Sequence, residues 1–273
     1  MTSTAPSGST RPKPSLWDGW WSQQAVLHAL LLREIQSRFG RHNIGFLWMI
    51  LEPLMLATVI TLIHTMVEHS LATSEIGPYP FTVLGYCLIM IFRNSFSRAE
   101  SALGSAPPLM YHRQITPFDI MVARTTVEVF GALSSMTILM VAGHFIGLVD
   151  FPARPLFLFA GICAIIVFSF GLSLCVAALS HRFHLFGRFV QPMAYFSWPL
   201  SGAFFTVNFL AVAARETVTW VPLVSMFEMA RFGMFAPAQP HYMYPEYVLA
   251  SCIVVMLLGL IAIRWIRRHI GMH

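Results

Sequence analysis

The chain has 273 residues, of which 56% are hydrophobic and 11% are charged, and its mean hydropathy is +0.67. This composition excludes a soluble globular protein and indicates a polytopic membrane protein. The net charge of +5 does not predict nucleic-acid binding, because the basic residues are spread along the chain and form no patch.

The N-terminal region precedes the apolar stretches. Residues 1–15 are rich in Ser, Thr and Pro, which predicts a disordered tail. Residues 22–40 have apolar positions at helical spacing with Arg and Gln opposite, which predicts an amphipathic helix in the cytoplasmic interface of the membrane. This helix is either a membrane anchor or a lever that contacts a cytoplasmic partner. Its apolar positions are Val26, Leu27, Leu30, Leu31, Ile35 and Phe39, and the tryptophans expected just ahead of it at headgroup level are Trp17, Trp20 and Trp21.

Six apolar stretches follow, each long enough to cross the ~30 Å hydrocarbon core as a helix. They cover residues 47–66, 79–97, 120–147, 156–179, 187–206 and 246–266. With a cytoplasmic N-terminus, all of the 17 Lys and Arg residues except Arg154, Arg215 and Arg231 fall on the cytoplasmic side. Such an excess of basic residues inside fixes orientation. The sequence therefore predicts an all-α transmembrane domain of six helices over residues 47–273, with both termini cytoplasmic.

The predicted spans contain few ionisable side chains, and these lie toward the cytoplasmic end: Glu52, Arg93 and Glu128. A carrier driven by an ion gradient usually places several such groups near the bilayer centre. That class and the ion-channel class are therefore disfavoured. Glu52 and Arg93 lie at similar depth and are predicted to pair, since either charge alone would be costly there.

The loop at about residues 93–119 is the longest one predicted inside the cell. It predicts a short helix over Ser95–Leu103 that ends at Gly104. Such a helix suits docking into another subunit, and a solvated turn is the alternative. Asp119 suits the N-terminal end of the third span, where a negative charge is favourable.

The outer segment at about residues 207–245 is too polar to cross the membrane twice and too apolar for a free loop. Residues 223–235 include Glu228 and Arg231 one turn apart, and we expect a pair of re-entrant or interfacial half-helices here. Aromatic residues surround this segment, either as an interfacial belt or as a lining that stacks on sugar rings. The candidate channel aromatics are Tyr195, Phe196, Trp198, Phe204, Phe205, Trp220 and Phe227.

Several chemical motifs are absent from the sequence. It contains no GxxxxGK[ST] phosphate-binding loop, no HExxH and no GxSxG. No catalytic, metal or nucleotide site is therefore predicted, and active transport would need a partner or an ion gradient. A membrane enzyme acting on lipid-linked sugars would need paired carboxylates or a His/Asp cluster, whereas His181 and His184 have no carboxylate beside them. A scaffold protein would not explain the amphipathic and half-helical segments.

The stretch Arg33–Leu54 (REIQSRFGRHNIGFLWMILEPL) closely resembles the start of the first span in membrane subunits of type-2 ABC exporters for cell-surface polysaccharides, in particular the KpsM-type capsule-export permeases. The Pro108–Asp119 region, the Pro222–Arg231 segment and the six-span layout agree with this resemblance. It extends over nearly the whole chain after residue 15. One departure is Val221, where related permeases often have Asn, and this puts the cap of the following half-helix in doubt.

The resemblance implies a homodimeric permease bound to two copies of a separate cytoplasmic ABC ATPase, which would bind the ATP and Mg²⁺. The substrate would be a long acidic polysaccharide on a lipid anchor, moved across the inner membrane of a Gram-negative bacterium. The outer loops would meet a periplasmic polysaccharide co-polymerase-type adaptor that leads to an outer-membrane channel. O-antigen and teichoic-acid permeases are the alternatives within the exporter class.

The resemblance also implies roles for particular segments. Residues 16–46 would form a gate-helix region against the ATPase, and Ser95–Leu103 would be the coupling helix in its cleft. The coupling residues would be Ser95, Phe96, Arg98, Glu100 and Leu103. A ring at the inner mouth would receive an anionic lipid headgroup or an acidic sugar, unless its residues only orient the protein. This ring comprises Arg33, Arg38, Arg41 and His42.

Overall fold

The computed structural model describes residues 16–39, 76–104 and 115–270, together with residues 51, 54–56, 58–60 and 62–63. Every regular element within these ranges is helical. The α-helices are α1 (Leu16–Phe39), α2 (Pro78–Ala99), α3 (Pro117–Phe145), α4 (Pro155–Arg182), α5 (His184–Leu200), α6 (Val212–Thr219), α7 (Pro222–Met234) and α8 (Pro245–Ile270). Short 3₁₀ helices lie at Val207–Phe209, between α5 and α6, and at Pro240–Tyr242, between α7 and α8.

Three of the described helices are long and apolar enough to cross a membrane. They are α3, α4 and the Pro245–Ile266 part of α8. The predicted tail 1–15 and most of the predicted first span lie outside the described residues. The predicted fifth span ran to residue 206, but α5 ends at Leu200. It ends there because Gly202 adopts φ +77°, a left-handed conformation in which the helix cannot continue.

Local sequence explains where several helices begin. Helices α2, α3, α4, α7 and α8 each start with a proline, whose missing N–H would have no intrahelical partner at that position. In α3 the side chain of Thr116 accepts a hydrogen bond from the backbone N–H of Asp119 at 3.3 Å. The Asp119 carboxylate in turn accepts from the backbone N–H of Thr116 at 2.9 Å. This capping box confirms that Asp119 stabilises the start of the helix.

Helix α2 is largely buried and packs against α3, α4, α5 and α7. All side chains from Thr82 to Phe92 are buried. A methyl group on Gly85 would collide with the backbone carbonyl of Ala203, so glycine allows the segment after α5 to lie directly against α2. Helices α7 and α8 pack on α4.

Helix α1 is longer than the sequence predicted. It begins at Leu16 and therefore contains Trp17, Trp20 and Trp21, which were expected ahead of it. All three indole rings are exposed. The expectation of a preceding segment was wrong because the residues around these tryptophans continue the helix without a break.

The prediction of a separate short helix over Ser95–Leu103 is also wrong. Helix α2 continues to Ala99 and is followed by turns at residues 100–104. Ser95, Phe96 and Leu103 are buried, and the two apolar side chains belong to the main core. The apolar positions of this segment therefore extend the buried face of α2.

Candidate functional site

Helix α1 is attached to the bundle through α3. Leu30 is buried against Ile120 and Ala123. Polar contacts lie on either side of this small apolar cluster. Gln23 Nε2 donates a hydrogen bond to Asp119 Oδ1 at 2.5 Å. The second contact is an ion pair, in which Arg124 Nε lies 3.5 Å from Glu34 Oε2.

A second ion pair connects α3 with the C-terminal end of α2. Arg98 Nε lies 2.9 Å from Glu128 Oε1, and the Glu128 side chain is only 5% exposed whereas that of Arg98 is 49% exposed. Arg124 Nη1 also donates to the backbone oxygen of Arg98 at 3.1 Å. The contacts Glu34–Arg124, Arg124–Arg98 and Arg98–Glu128 therefore join α1, α3 and the end of α2 into one network, which we call the inner-end network.

The predicted coupling residues are divided between the core and the surface. Ser95, Phe96 and Leu103 face the interior. Arg98 is exposed and Glu100 is half-buried, next to Gly187 at the start of α5. In this conformation a docking partner would meet the exposed residues Arg98, Ser101 and Gly104 rather than the buried ones.

The predicted ring of cations is only partly within the described residues. Arg33 is exposed on α1, and Arg38 belongs to the last turns of the same helix. Arg41, His42 and Glu52 lie outside the described residues. The ring and the Glu52–Arg93 pair therefore stay predictions.

Arg93 lies among aromatic side chains of α5. Its Cζ atom is 5.0 Å from the ring centroid of Tyr195 and 5.7 Å from that of Trp198, within the range of cation–π attraction. Its Nη1 approaches the sulfur of Met90 at 3.9 Å. Trp198 also packs with Phe204, with 5.6 Å between ring centroids. We call Arg93, Tyr195, Trp198 and Phe204 the Arg93 cluster.

The remaining predicted channel aromatics do not form one surface with this cluster. Phe196 is 70% exposed on α5, and Trp220 is 77% exposed after α6. Phe227 is only 1% exposed, so its ring packs in the core of the single chain. Phe205 is half-buried, and its backbone oxygen is an acceptor for Arg231.

Glu228 and Arg231 of α7 form an internal ion pair at 3.3 Å. Arg231 is only 1% exposed. Its Nη1 donates to Phe205 O at 2.7 Å, and its Nη2 donates to Gly202 O at 2.5 Å and to Ala203 O at 2.8 Å. Glu228 Oε1 accepts from the backbone N–H of Val207 at 3.2 Å. This pair therefore holds the segment after α5 against α7 and is not open to a ligand.

Val221, which replaces the Asn often found in related permeases, leaves the start of α7 without a side-chain cap. Val221 is its N-cap residue and makes no side-chain capping bond. Pro222 at the first position reduces the need for one, because it has no backbone N–H.

Residues 25–235 match the ABC-2 type transporter family. The chain belongs to this family. It is 33% identical over 248 residues to the capsule polysaccharide export inner-membrane protein CtrC of Neisseria meningitidis serogroup B, covering 91% of this chain and 93% of that protein. It is 31% identical over 242 residues to BexB of Haemophilus influenzae, a capsule polysaccharide export inner-membrane protein, covering 89% and 91%. It is 24% identical over 246 residues to the polysialic acid transport protein KpsM of Escherichia coli, covering 89% and 93%.

The resemblance to type-2 ABC exporters is thus confirmed, and membership of the ABC-2 type transporter family indicates transport rather than catalysis. Sequence reasoning missed several residues that join helices in this transporter: Gln23, Glu34 and Arg124. Thr116 and Asp119 have the spacing of a capping box, so the start of α3 did have a signal in the local sequence. The contacts with α1 join residues about 90 positions apart, so no local pattern pointed to them.

Proposed function

We propose that this chain is the membrane-spanning permease subunit of an ATP-driven ABC exporter that moves lipid-linked capsular polysaccharide across the inner membrane of a Gram-negative bacterium. The observation that carries this proposal is its similarity to capsule polysaccharide export inner-membrane proteins over almost the full length of both chains. Because the similarity covers 91% of this chain and 93% of CtrC, it supports a shared task for the whole protein and not for one motif.

We further propose that residues 47–273 form a single domain of six spans with both termini in the cytoplasm. The antiparallel order of neighbouring helices supports this topology. Gln191 Nε2 lies 3.5 Å from Ser97 O, and Arg124 contacts Arg98, so the end of α2 adjoins the starts of α3 and α5. At the opposite end, the Tyr79 hydroxyl donates to Leu139 O at 2.9 Å. In this topology α6 and α7 form a re-entrant pair on the outer side.

The proposed partners follow from the family. Two copies of the chain bind two copies of a cytoplasmic ABC ATPase, and the outer loops pass the polymer to a periplasmic adaptor and an outer-membrane channel. The proposed ATPase contacts are α1 and the exposed surface at the end of α2, around Arg98 and Glu100. The inner-end network supports this assignment, because it joins those two surfaces through α3.

Arg33, Arg38, Arg41 and His42 are the proposed receptors for the anionic lipid headgroup or the first acidic sugars. Reversing the charges of Arg38 and Arg41 should reduce export while membrane insertion and ATPase binding persist. Loss of insertion would instead indicate that these arginines only orient the chain.

The direct test is to purify the tagged chain in mild detergent from its native membrane and identify everything retained by mass spectrometry, with untagged membranes as the control. We expect a nucleotide-binding ATPase in equal amount and a phospholipid-linked acidic glycan. A chain retained alone, without ATP-stimulated activity when the products of its neighbouring genes are added, would contradict the ABC exporter proposal. A neutral or teichoic-acid polymer would contradict capsular cargo alone.

A further inference from the structure

Arg93 is a charged residue inside a proposed span. It precedes the last helical residue, Ala99, by six positions, which corresponds to about 9 Å along the helix axis. A guanidinium at this depth is costly unless it is paired, and ionisable residues in such positions commonly mark substrate pathways. No acidic side chain of the described residues pairs with Arg93; its contacts there are the Tyr195 and Trp198 rings and the Met90 sulfur.

Two hydrogen-bond donors of the Arg93 cluster lack acceptors. The Nε of Arg93 and the Nε1 of Trp198 are both buried and have no hydrogen-bond partner among the described residues. Buried donors without partners are rare in native structures, because burying an N–H without an acceptor costs free energy. Both donors belong to one cluster, since the Arg93 Cζ atom is 5.7 Å from the Trp198 ring.

The cluster is also accessible from the surface of the single chain. Tyr195 is 61% exposed although its ring contacts the guanidinium. The neighbouring Phe196 is 70% exposed. Arg93 itself is half-buried, so a ligand that packs on the exposed Tyr195 ring lies next to the guanidinium.

We propose that Arg93, Tyr195 and Trp198 form a binding site for an acidic sugar unit of the exported polysaccharide. A carboxylate or phosphate of the polymer accepts hydrogen bonds from the Arg93 guanidinium, and a rotation of the Trp198 side chain brings its buried Nε1–H to the same oxyanion. The apolar face of the sugar ring packs on Tyr195. The planar guanidinium suits such oxyanions because it can donate two parallel hydrogen bonds. This inference rests on the proposed function and specifies where the acidic cargo is recognised.

The test uses the complex of this chain with its ATPase in phosphatidylcholine nanodiscs. The probe is a fluorescent oligosialic acid, which has one carboxylate per sugar, and a neutral dextran oligomer is the comparison ligand. The variants are Arg93→Gln, Arg93→Lys and Tyr195→Leu, and the matched control is Arg264→Gln, which removes an exposed arginine of α8. Tyr195→Leu alters an exposed position, so it keeps the test valid if an Arg93 variant does not fold.

We expect Arg93→Gln to weaken oligosialic acid binding about tenfold, with Arg93→Lys intermediate because an amine lacks the planar fork. Tyr195→Leu should also weaken oligosialic acid binding. Arg264→Gln should leave oligosialic acid binding unchanged, and dextran binding should be the same for all of the proteins.

Equal oligosialic acid binding by the wild type and all of these variants would overturn the site. Competition by added phosphatidylglycerol would assign the cluster to lipid headgroups and would also overturn it. Glu52→Gln is a further control: if it weakens oligosialic acid binding as much as Arg93→Gln does, loss of an ion pair between Glu52 and Arg93 explains the effect, and the site is overturned. Failure of the wild-type complex to bind any acidic glycan would overturn the proposed function itself.

Discussion

Gln23 of α1 donates a hydrogen bond to Asp119 of α3 at 2.5 Å. The other carboxylate oxygen of Asp119 caps its own helix by accepting from the backbone N–H and the hydroxyl of Thr116. One side chain therefore both starts α3 and positions α1. Any change at Asp119 affects two helices, whereas a change at Gln23 affects only the attachment of α1.

This difference gives the first prediction. Gln23→Ala removes one side-chain hydrogen bond, worth about 1 kcal/mol, and should raise amide hydrogen exchange in α1 about fivefold without affecting α3. Asp119→Ala should raise exchange in both α1 and the first turn of α3, because the cap contributes about another 1 kcal/mol. Hydrogen exchange with mass spectrometry measures both helices at once. Gln24→Ala, an exposed neighbour, is the control, and equal effects of the two glutamine variants would contradict the role of Gln23.

The second prediction concerns Arg231. Its guanidinium reaches three backbone oxygens and one carboxylate oxygen, a geometry that a lysine amine with three N–H groups cannot reproduce. Arg231→Lys should therefore destabilise the protein strongly, and Arg231→Met should cost more, about 3–5 kcal/mol, because Glu228 is left buried without its partner. Thermal unfolding followed by fluorescence-detected size-exclusion chromatography measures both variants.

Arg215→Lys is the matched control for Arg231. Arg215 also donates to backbone oxygens, those of Leu210 at 2.8 Å and Asn208 at 2.7 Å. Its site is partly open to solvent, which can replace lost hydrogen bonds, so its loss should cost about 1 kcal/mol. An Arg231→Lys variant that unfolds at the wild-type temperature would show that the buried network is not required for stability.

The long apolar helices and the capping residue Asp119 were predictable from the sequence because both signals are local. Hydrophobic length identified α3, α4 and α8, and the type of side chain at residue 119 indicated a helix start. The separate helix over Ser95–Leu103 was predicted wrongly, because a buried amphipathic turn and a separate surface helix have the same local pattern of residues. Only the packing of Phe96 and Leu103 into the core distinguishes these two arrangements.

The sequence indicated which residues of the candidate site were unusual, but it did not indicate that they lie together. Arg93 stood out because a charge in an apolar span is unusual, and Tyr195 and Trp198 stood out as aromatics. Nothing in the sequence placed them together, since about 100 residues separate α2 from that part of α5. The same limit applied to Phe227, which was grouped with the candidate channel aromatics but lies in the core.

The third prediction tests the close approach of α2 to the segment after α5. Alanine normally stabilises a helix relative to glycine by about 1 kcal/mol, but the methyl group of Gly85→Ala would collide with the carbonyl of Ala203. We therefore expect Gly85→Ala to destabilise the protein by about 1–3 kcal/mol, measured as a lower unfolding temperature. Gly104→Ala is the control, because a methyl group there meets no atom within 4 Å. A Gly85→Ala protein that unfolds no earlier than the wild type would contradict this packing.

The last prediction concerns the ion pair of Arg98 and Glu128. Glu128 is buried and Arg98 is half exposed. Removing the arginine leaves a buried carboxylate without its partner, which is costly. Removing the carboxylate leaves a cation that water can solvate, which should cost less stability. Arg98→Gln should therefore lower the unfolding temperature more than Glu128→Gln does. Arg33→Gln, an exposed arginine of α1, controls for loss of positive charge.

The charge-swapped variant Arg98→Glu with Glu128→Arg separates stability from coupling. If the pair joins α3 to the end of α2 during ATP-driven movement, the swap should restore part of the glycan-stimulated ATPase activity that each single reversal loses. Recovery should be incomplete, because the buried position would then hold the larger side chain. If the single reversals unfold no earlier than the wild type and hydrolyse ATP with normal glycan stimulation, the pair contributes neither to stability nor to coupling. A swap that regains stability without regaining glycan-stimulated ATP hydrolysis would limit the pair to a structural role. The connection between α1 and α2 would then depend on the remaining contacts of the inner-end network, which are made by Arg124.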